Sequence, residues 1–464
     1  MFLFYFYFII KVMFKINFKK IRKQIIKHKK RCLIILGILF VIVIGCGIGT
    51  HLYSKSHKSA EQQNQAQEKN TYTAFLSEIY EKIKENYWNE ITDEQLSGLF
   101  KLAAEKLLNA PQTLQSADEQ GMVKMADSAI SNFDNEKKKA FSAQLANLVL
   151  VNLEPFGRSA LYTQKLEQNL ENQVKNVNPE TNLYNMLGIS KEASKEEIEN
   201  AYQKKVKELE PQKDTSEDAK QQLEQIQYAY GVLSDQTNKE KYDSSGQEPT
   251  AIGKLIRPDI LYLYIPRISP TSLTDLSRET DKFDSGDKLN ALILDLRGNI
   301  GGSLDVLPYL LGPFIGPNNY AFELFKQGDY EPYKTQFGWL NTMVRYKKVV
   351  VLTDNNTQSS AEVMASALKK YNVGVLVGAT TKGWGTIEAV YPLDSQIDDA
   401  EKYSMFLVNH LTIRDDGKPI EKNGVEPTIN ISDKNWTKEL FAYFNYQELV
   451  DAVKEAIDSE PGKI

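Results

Sequence analysis

The sequence predicts a multidomain chain: one membrane-crossing helix, an all-α region that ends in a helical hairpin, and a C-terminal α/β core. Three observations predict it. Residues 32–50 form an apolar run without a charged side chain. From about 72 to 245 apolar residues recur three and four apart, the period of amphipathic helices. From 259 onward, short β-branched runs alternate with glycine loops and helical patterns.

At ~1.5 Å per residue, CLIILGILFVIVIGCGIGT is long enough to cross the ~30 Å hydrocarbon core. Eight Lys/Arg lie in 19–31 before it, and only Lys55 and Lys58 follow closely. The positive-inside bias then predicts a single-pass cell-membrane protein, anchored through residues 32–53, with a cytoplasmic basic segment 1–31 and its bulk outside. A cleaved signal peptide is the alternative, but no clear A-x-A site follows the run. The first apolar run, MFLFYFYFII, is too short to span; it lies in the interface, or translation starts at Met13.

Residues 1–60 hold twelve Lys/Arg and no Asp/Glu, so the remainder carries 44 basic against 61 acidic residues. So acidic a body repels phosphate backbones and argues against a nucleic-acid partner. Both cysteines, Cys32 and Cys46, sit in or beside the apolar run, which leaves no disulfide framework and no thiolate metal site. Of the four histidines only His410 is remote from that run, so a Ser-His-Asp triad or a zinc site would rest on it alone. No metal and no cofactor are expected.

Residues 54–71 read as a polar tether and 72–180 as helical, with helices in TAFLSEIYEKIKENYW, DEQLSGLFKLAAEKLLN, about 121–133 and 136–153. This region is a spacer, or a dimerisation or substrate-handling segment; a homo-oligomer through its helices is the partner it would allow. Next, Ser194 with Glu197 forms a capping box that opens a helix striped by Ile198, Tyr202, Val206 and Leu209. Pro211 breaks it. A second stripe, Leu223, Ile226, Tyr230 and Leu233, completes an antiparallel hairpin.

Over 182–246 this segment resembles a J-domain (DnaJ-like), carried by LYNMLGI, AYQKKV, AYGVLSD and KYD. The resemblance places the family's His-Pro-Asp tripeptide on Glu210, Pro211 and Gln212, where only the proline persists. Lys204, Lys205 and Lys207 are offset by Glu196, Glu197, Glu199 and Glu208. The expectation is a J-fold used for binding or spacing, rather than a membrane-anchored co-chaperone.

The C-terminal part opens with a strand in DILYLYI and a capped helix in SPTSLTDLSRETDKF. ALILDLRGNIGGSLDVLPYLL reads as buried strand, glycine loop and helix. A phosphate loop is excluded, because no Lys-Ser/Thr ending follows the glycines. Then come a strand at 348–353, Ser359 at a helix start, a helix at 360–371, a strand at 373–377 and a Thr-Gly segment entering a further strand. A serine at a strand-to-helix turn is exposed beside free N–H groups that can hold an oxyanion. By itself such a serine is more often just an N-cap. A helical segment, 433–464, ends the chain.

LILDLRGNIGG, TQSSAEVMASAL, VGATTKGWGT and GKPIEKNGVEPTINI follow the order and spacing of C-terminal-processing (tail-specific) serine peptidases. The resemblance covers about 250–432 and implies a ClpP/crotonase-like α/β core. It implies cleavage of unstructured polypeptides near their C-termini, with no cofactor. The J-like module occupies the slot where that family usually carries a PDZ domain. The resemblance puts the nucleophile on Ser359 and the oxyanion donors on Ser360 and the Gly301-Gly302 turn. It matches Glu362 to the acidic residue of the serine-rich motif.

The family's base lysine belongs in T-x-G-K-G, and that position here holds Trp384. Trp accepts no proton. Lys382 is the substitute two residues earlier, on the same side of an extended segment. It would need a pKa lowered toward neutrality. Glu388 replaces the family's glutamine, and a carboxylate there would keep a lysine charged. Two readings follow: a serine peptidase of Ser/Lys type, or a pseudoprotease that binds peptide tails without cutting them.

Overall fold

The computed structural model describes residues 70–463 except 213–215, 284–287 and 415, and apart from the Glu217 side chain. The basic N-terminus, the apolar run 32–53 and most of the tether lie outside the described residues. The expectation of an N-terminal transmembrane helix is corrected here. Among the described residues no helix is long and apolar enough to cross a membrane. The two longest, Asn135–Val151 and Glu217–Leu233, have 17 residues each, and the first opens on the charged run Glu136 to Lys139. The expectation of a single-pass cell-membrane location with a cytoplasmic N-terminus is corrected with that helix, and a membrane partner is not shown.

Four helices begin the described chain: α1 (Thr71–Asn86), α2 (Asp93–Leu108), α3 (Glu119–Ile130) and α4 (Asn135–Val151). Asn70, Thr92, Asp118 and Asp134 cap them, each side chain accepting a backbone N–H of the first turn. A short strand, β1 (Ala160–Thr163), and helix α5 (Gln164–Lys175) follow. The helical hairpin then forms as expected, with α6 (Leu183–Leu187), α7 (Lys195–Leu209), α8 (Glu217–Leu233) and α9 (Gln236–Ser245) around a core of Leu183, Leu187, Ile198, Ile226 and Leu233. Both halves of the Ser194/Glu197 capping box are present.

A six-stranded sheet, ordered β11-β8-β7-β4-β3-β2, organises the remainder. It comprises β2 (Ile252–Arg257), β3 (Ile260–Tyr264), β4 (Ala291–Asp295), β7 (Lys348–Thr353), β8 (Val375–Gly378) and β11 (Ile429–Asn430). All pairs are parallel except β2 with β3. Its central strands are buried on both faces, which explains their unbroken apolar runs. Helices α10 (Ser272–Lys282), α11 (Leu307–Ile315), α12 (Asn341–Val344) and α13 (Ser360–Lys370) cover one face. Helices α14 (Trp436–Phe444) and α15 (Gln447–Asp458) cover the other. Thr271 precedes α10 but makes no side-chain cap there.

The second sheet differs from the sequence expectation. Strand β9 (Thr386–Pro392) leaves the parallel sheet and pairs antiparallel with the eleven-residue β10 (Tyr403–Ile413). Strand β10 also pairs with β5 (Tyr320–Lys326), which carries β6 (Asp329–Lys334), and with β1. Thus the helical region does not stand apart as a spacer. Its core residues Phe75, Leu145 and Leu161 pack in one cluster with Leu393, Met405 and Leu407.

The J-like module is docked as firmly. Lys241 on α9 meets the fully buried Asp275 on α10 at 2.7 Å, Lys282 reaches Asp235 at 2.7 Å, and Lys463 reaches Glu224 at 2.9 Å. Asp275 also accepts the Thr250 N–H and hydroxyl at 3.0 and 2.9 Å.

Candidate active site

Ser359 sits between β7 and α13 with φ +56° and ψ −130°, a left-handed conformation that costs a non-glycine residue about 1–3 kcal/mol. Its N–H donates to Glu362 Oε2 at 2.9 Å. Glu362, fully buried on the first turn of α13, also accepts the Thr381 hydroxyl at 2.5 Å, the Gly383 N–H at 2.7 Å and the Trp384 N–H at 2.8 Å. Burial pushes its carboxyl up, and the four donors pull it back. One carboxylate therefore fixes both the serine turn and the 381–384 segment.

The glycine turn faces Ser359. A Cβ on Gly301 would lie 2.7 Å from Ser359 Cβ, and one on Gly302 would lie 1.9 Å from the Ile268 carbonyl oxygen. Both glycines also have positive φ, so no other residue fits either place. The Gly301 N–H already donates to Asn299 Oδ1 at 2.8 Å. Among the described residues no hydrogen bond takes the N–H of Gly302 or of Ser360. Asn299, fully buried, further donates to the Ile265 carbonyl at 2.8 Å and accepts the Gln358 N–H on its own carbonyl at 2.9 Å. The sequence reading passed over Asn299; its place in DLRGNIGG is the signal that could have found it.

Ser359, Gly302, Trp384 and Glu388 line one cavity of about 700 Å³, a typical ligand-cleft size. Lys382 does not line it: its side chain is exposed, and its backbone N–H is held by the Thr357 carbonyl at 2.9 Å. At Trp384, the indole N–H donates to Glu388 Oε1 at 3.0 Å, and the Thr386 hydroxyl donates to the same oxygen at 2.5 Å. Burial pushes the Glu388 carboxyl up to about 7; those two hydrogen bonds and the charge of Arg158 restrain the rise. Arg158, just before β1, lays its guanidinium 3.5 Å from the Trp384 ring centroid and pairs with Glu421 at 3.2 Å. Nothing local in the sequence signals that contact, because it spans more than two hundred residues.

Residues 259–431 match Peptidase family S41, and residues 182–243 match the DnaJ domain. The chain carries an S41 peptidase domain and a DnaJ domain. Carboxy-terminal processing protease CtpA of Bacillus subtilis is 31% identical over 175 residues, 37% of this chain and 35% of that protein. Chaperone protein DnaJ of Levilactobacillus brevis is 38% identical over 74 residues, 16% of this chain and 19% of that one. The photosystem II D1 C-terminal processing protease aligns in structure at 14% identity and TM-score 0.43, covering 78% of this chain and 93% of that one. The chain thus spans about a third of the length of the curated peptidase it matches.

The DnaJ domain's divergent tripeptide, Glu210-Pro211-Gln212, forms an exposed 3₁₀ turn after α7. The LDLRG run of the S41 domain proves structural as well. Arg297 pairs with the buried Asp295 at 2.7 Å and donates to the Ala456 carbonyl at 2.7 Å, clamping α15 to the sheet. Among the described residues no group of His, Cys, Asp and Glu could hold a metal ion.

Proposed function

We propose that the chain is a serine endopeptidase of the C-terminal-processing kind, with Ser359 as nucleophile. One observation carries this reading: a strained serine at a helix start lines a cavity of about 700 Å³ together with Gly302, and the N–H groups of Gly302 and of the adjoining Ser360 take no acceptor among the described residues. In the proposed reaction Ser359 Oγ attacks the scissile carbonyl carbon and its proton passes to Glu388, directly or through one water. The N–H groups of Gly302 and Ser360 receive the oxyanion, while Gly301 supports the turn. Collapse breaks the C–N bond, and the departing amine takes the proton from Glu388. Water then hydrolyses the acyl-serine by the same proton route.

A carboxylate that titrates near 7 suits this base role, and it lies in the cavity where Lys382 does not. Lys382 would serve only by leaving its exposed position. The DnaJ domain acts here as a docked structural or binding module. Ser359→Ala should abolish cleavage of an unstructured polypeptide, a loss of about a thousandfold or more. Cleavage that survives the substitution removes Ser359 as nucleophile.

A second reading, peptide binding without cleavage, draws on the Trp384 indole at the base position. It predicts that the wild type binds unstructured peptides and hydrolyses none. Trp384→Lys would then test for a dormant site.

A further inference from the structure

Arg267 lines the Ser359 cavity and is half-buried, and its Nε is withdrawn from solvent without a hydrogen-bond acceptor. Among the described residues no carboxylate forms an ion pair with it. Asp305 at the same cavity is exposed and makes none. Arg158 differs, because Glu421 and the Trp384 ring already occupy it. Burial of an uncompensated guanidinium costs free energy unless an anion joins it.

The position of Arg267 is set by backbone pairing. The next residue, Ile268, donates its N–H to the Gly301 carbonyl at 3.1 Å and accepts the Ser303 N–H at 2.8 Å. Gly302 abuts Ile268, and Gly301 abuts Ser359. Two backbone-to-backbone contacts therefore separate Arg267 from Ser359, on the order of 10 Å at ordinary strand spacing. An extended peptide covers that distance with about three residues.

We propose that Arg267 is a carboxylate-anchoring residue of this cavity, holding the terminal carboxylate of the substrate so that the bond cut at Ser359 lies within a few residues of the chain end. The inference rests on the cavity being the peptide site. A guanidinium suits the task, because its planar fork matches a carboxylate.

The test uses the full chain carrying Ser359→Ala, so binding is read without turnover. Fluorescence anisotropy compares one labelled unstructured peptide as free acid, as C-terminal amide, and as an amide with glutamate at the last position. The free acid should bind roughly tenfold or more tighter than the plain amide, the scale of one charge-assisted hydrogen bond. Arg267→Gln should erase that difference, and Arg267→Lys should keep part of it. Equal binding of acid and plain amide overturns the proposal, as does a difference that persists in Arg267→Gln. If the glutamyl amide binds as tightly as the acid, the terminal assignment is overturned in favour of any nearby carboxylate. A thermal melt of each variant separates lost binding from lost folding, and Arg267→Lys decides if Arg267→Gln does not fold. Failure of wild-type hydrolysis with acid-selective binding intact would sink the peptidase reading and leave the anchor standing.

Discussion

The indole N–H of Trp384 donates to the Glu388 carboxylate at 3.0 Å, so the aromatic residue at the position where the peptidase resemblance places a lysine binds the acid at the position of the family's glutamine. In the mechanism proposed above the base is a carboxylate rather than a neutral amine, and this sets the expected pH behaviour. Glu388 would have to be ionised to accept the Ser359 proton, and burial pushes its carboxyl up to about 7. Hydrolysis should therefore rise with pH through about 7 and level off above it. Glu388→Gln should lower the rate about a hundredfold or more, while Lys382→Ala leaves it unchanged. Trp384→Phe removes a hydrogen bond that favours the ionised form, so the midpoint of the pH–rate profile should move upward. A profile fixed by Lys382 would instead vanish in Lys382→Ala.

Stability should follow the same carboxyl. Its folded pKa lies above the ordinary 4.5, so the neutral form favours folding. That contribution is fully present below about 4.5 and is lost as pH rises to about 7. Glu388→Gln should gain stability relative to wild type across that window, on the order of 3 kcal/mol at its upper end. Denaturant melts at several pH values measure it; parallel curves for the two proteins would contradict the assignment.

Glu362→Gln should cost roughly 2–4 kcal/mol and most of the activity. An amide nitrogen there faces N–H donors it cannot satisfy, and two of the four hydrogen bonds fail. Hydrogen exchange should quicken in both the 357–360 turn and the 381–385 segment. Exchange confined to one of them would show that the carboxylate does not couple the two.

Asp275→Ala strips Thr250 and Lys241 of a buried partner and should cost roughly 3–5 kcal/mol, read as a lower denaturation midpoint. The DnaJ and S41 domains should then melt in two steps. A single, barely shifted transition would argue against this residue as the joint.

The exposed turn Glu210-Pro211-Gln212 should not stimulate a chaperone ATPase, because the flanking residues of the J tripeptide are replaced. A steady-state assay of the full chain tests this, with Glu210→His plus Gln212→Asp as the control. Stimulation by the unmodified chain would refute it.

Local signals were legible in the sequence. The Ser194/Glu197 box, the 348–353 strand and the helix after Ser359 form where propensity and pattern agree. The Gly301-Gly302 turn was legible because positive φ is a backbone requirement that glycine expresses, whereas Ser359 was singled out by the motif around it and not by its own residue type. Pairings across long separations were not legible. Arg158 over Trp384, β1 against β10 and Asp275 beneath Lys241 depend on how distant segments close, which no local period encodes. Lys382 shows the converse: alternation along an extended segment favoured it, but the 381–384 turn around Glu362 presents it to solvent.

Strand β1 joins the edge of a sheet whose other members come from far later in the chain, and Arg158 travels with it. The stretch that matches Peptidase family S41 therefore leaves out a strand and a side chain that its own sheet and Trp384 pack against. Recombination that moved 259–431 into another protein without the preceding helices would transplant an open sheet edge, a bared apolar face and an unsupported Trp384. The DnaJ domain separates β1 from the rest of its sheet in sequence while leaving that sheet whole in space, so the sheet closes around a module that contributes no strand to it.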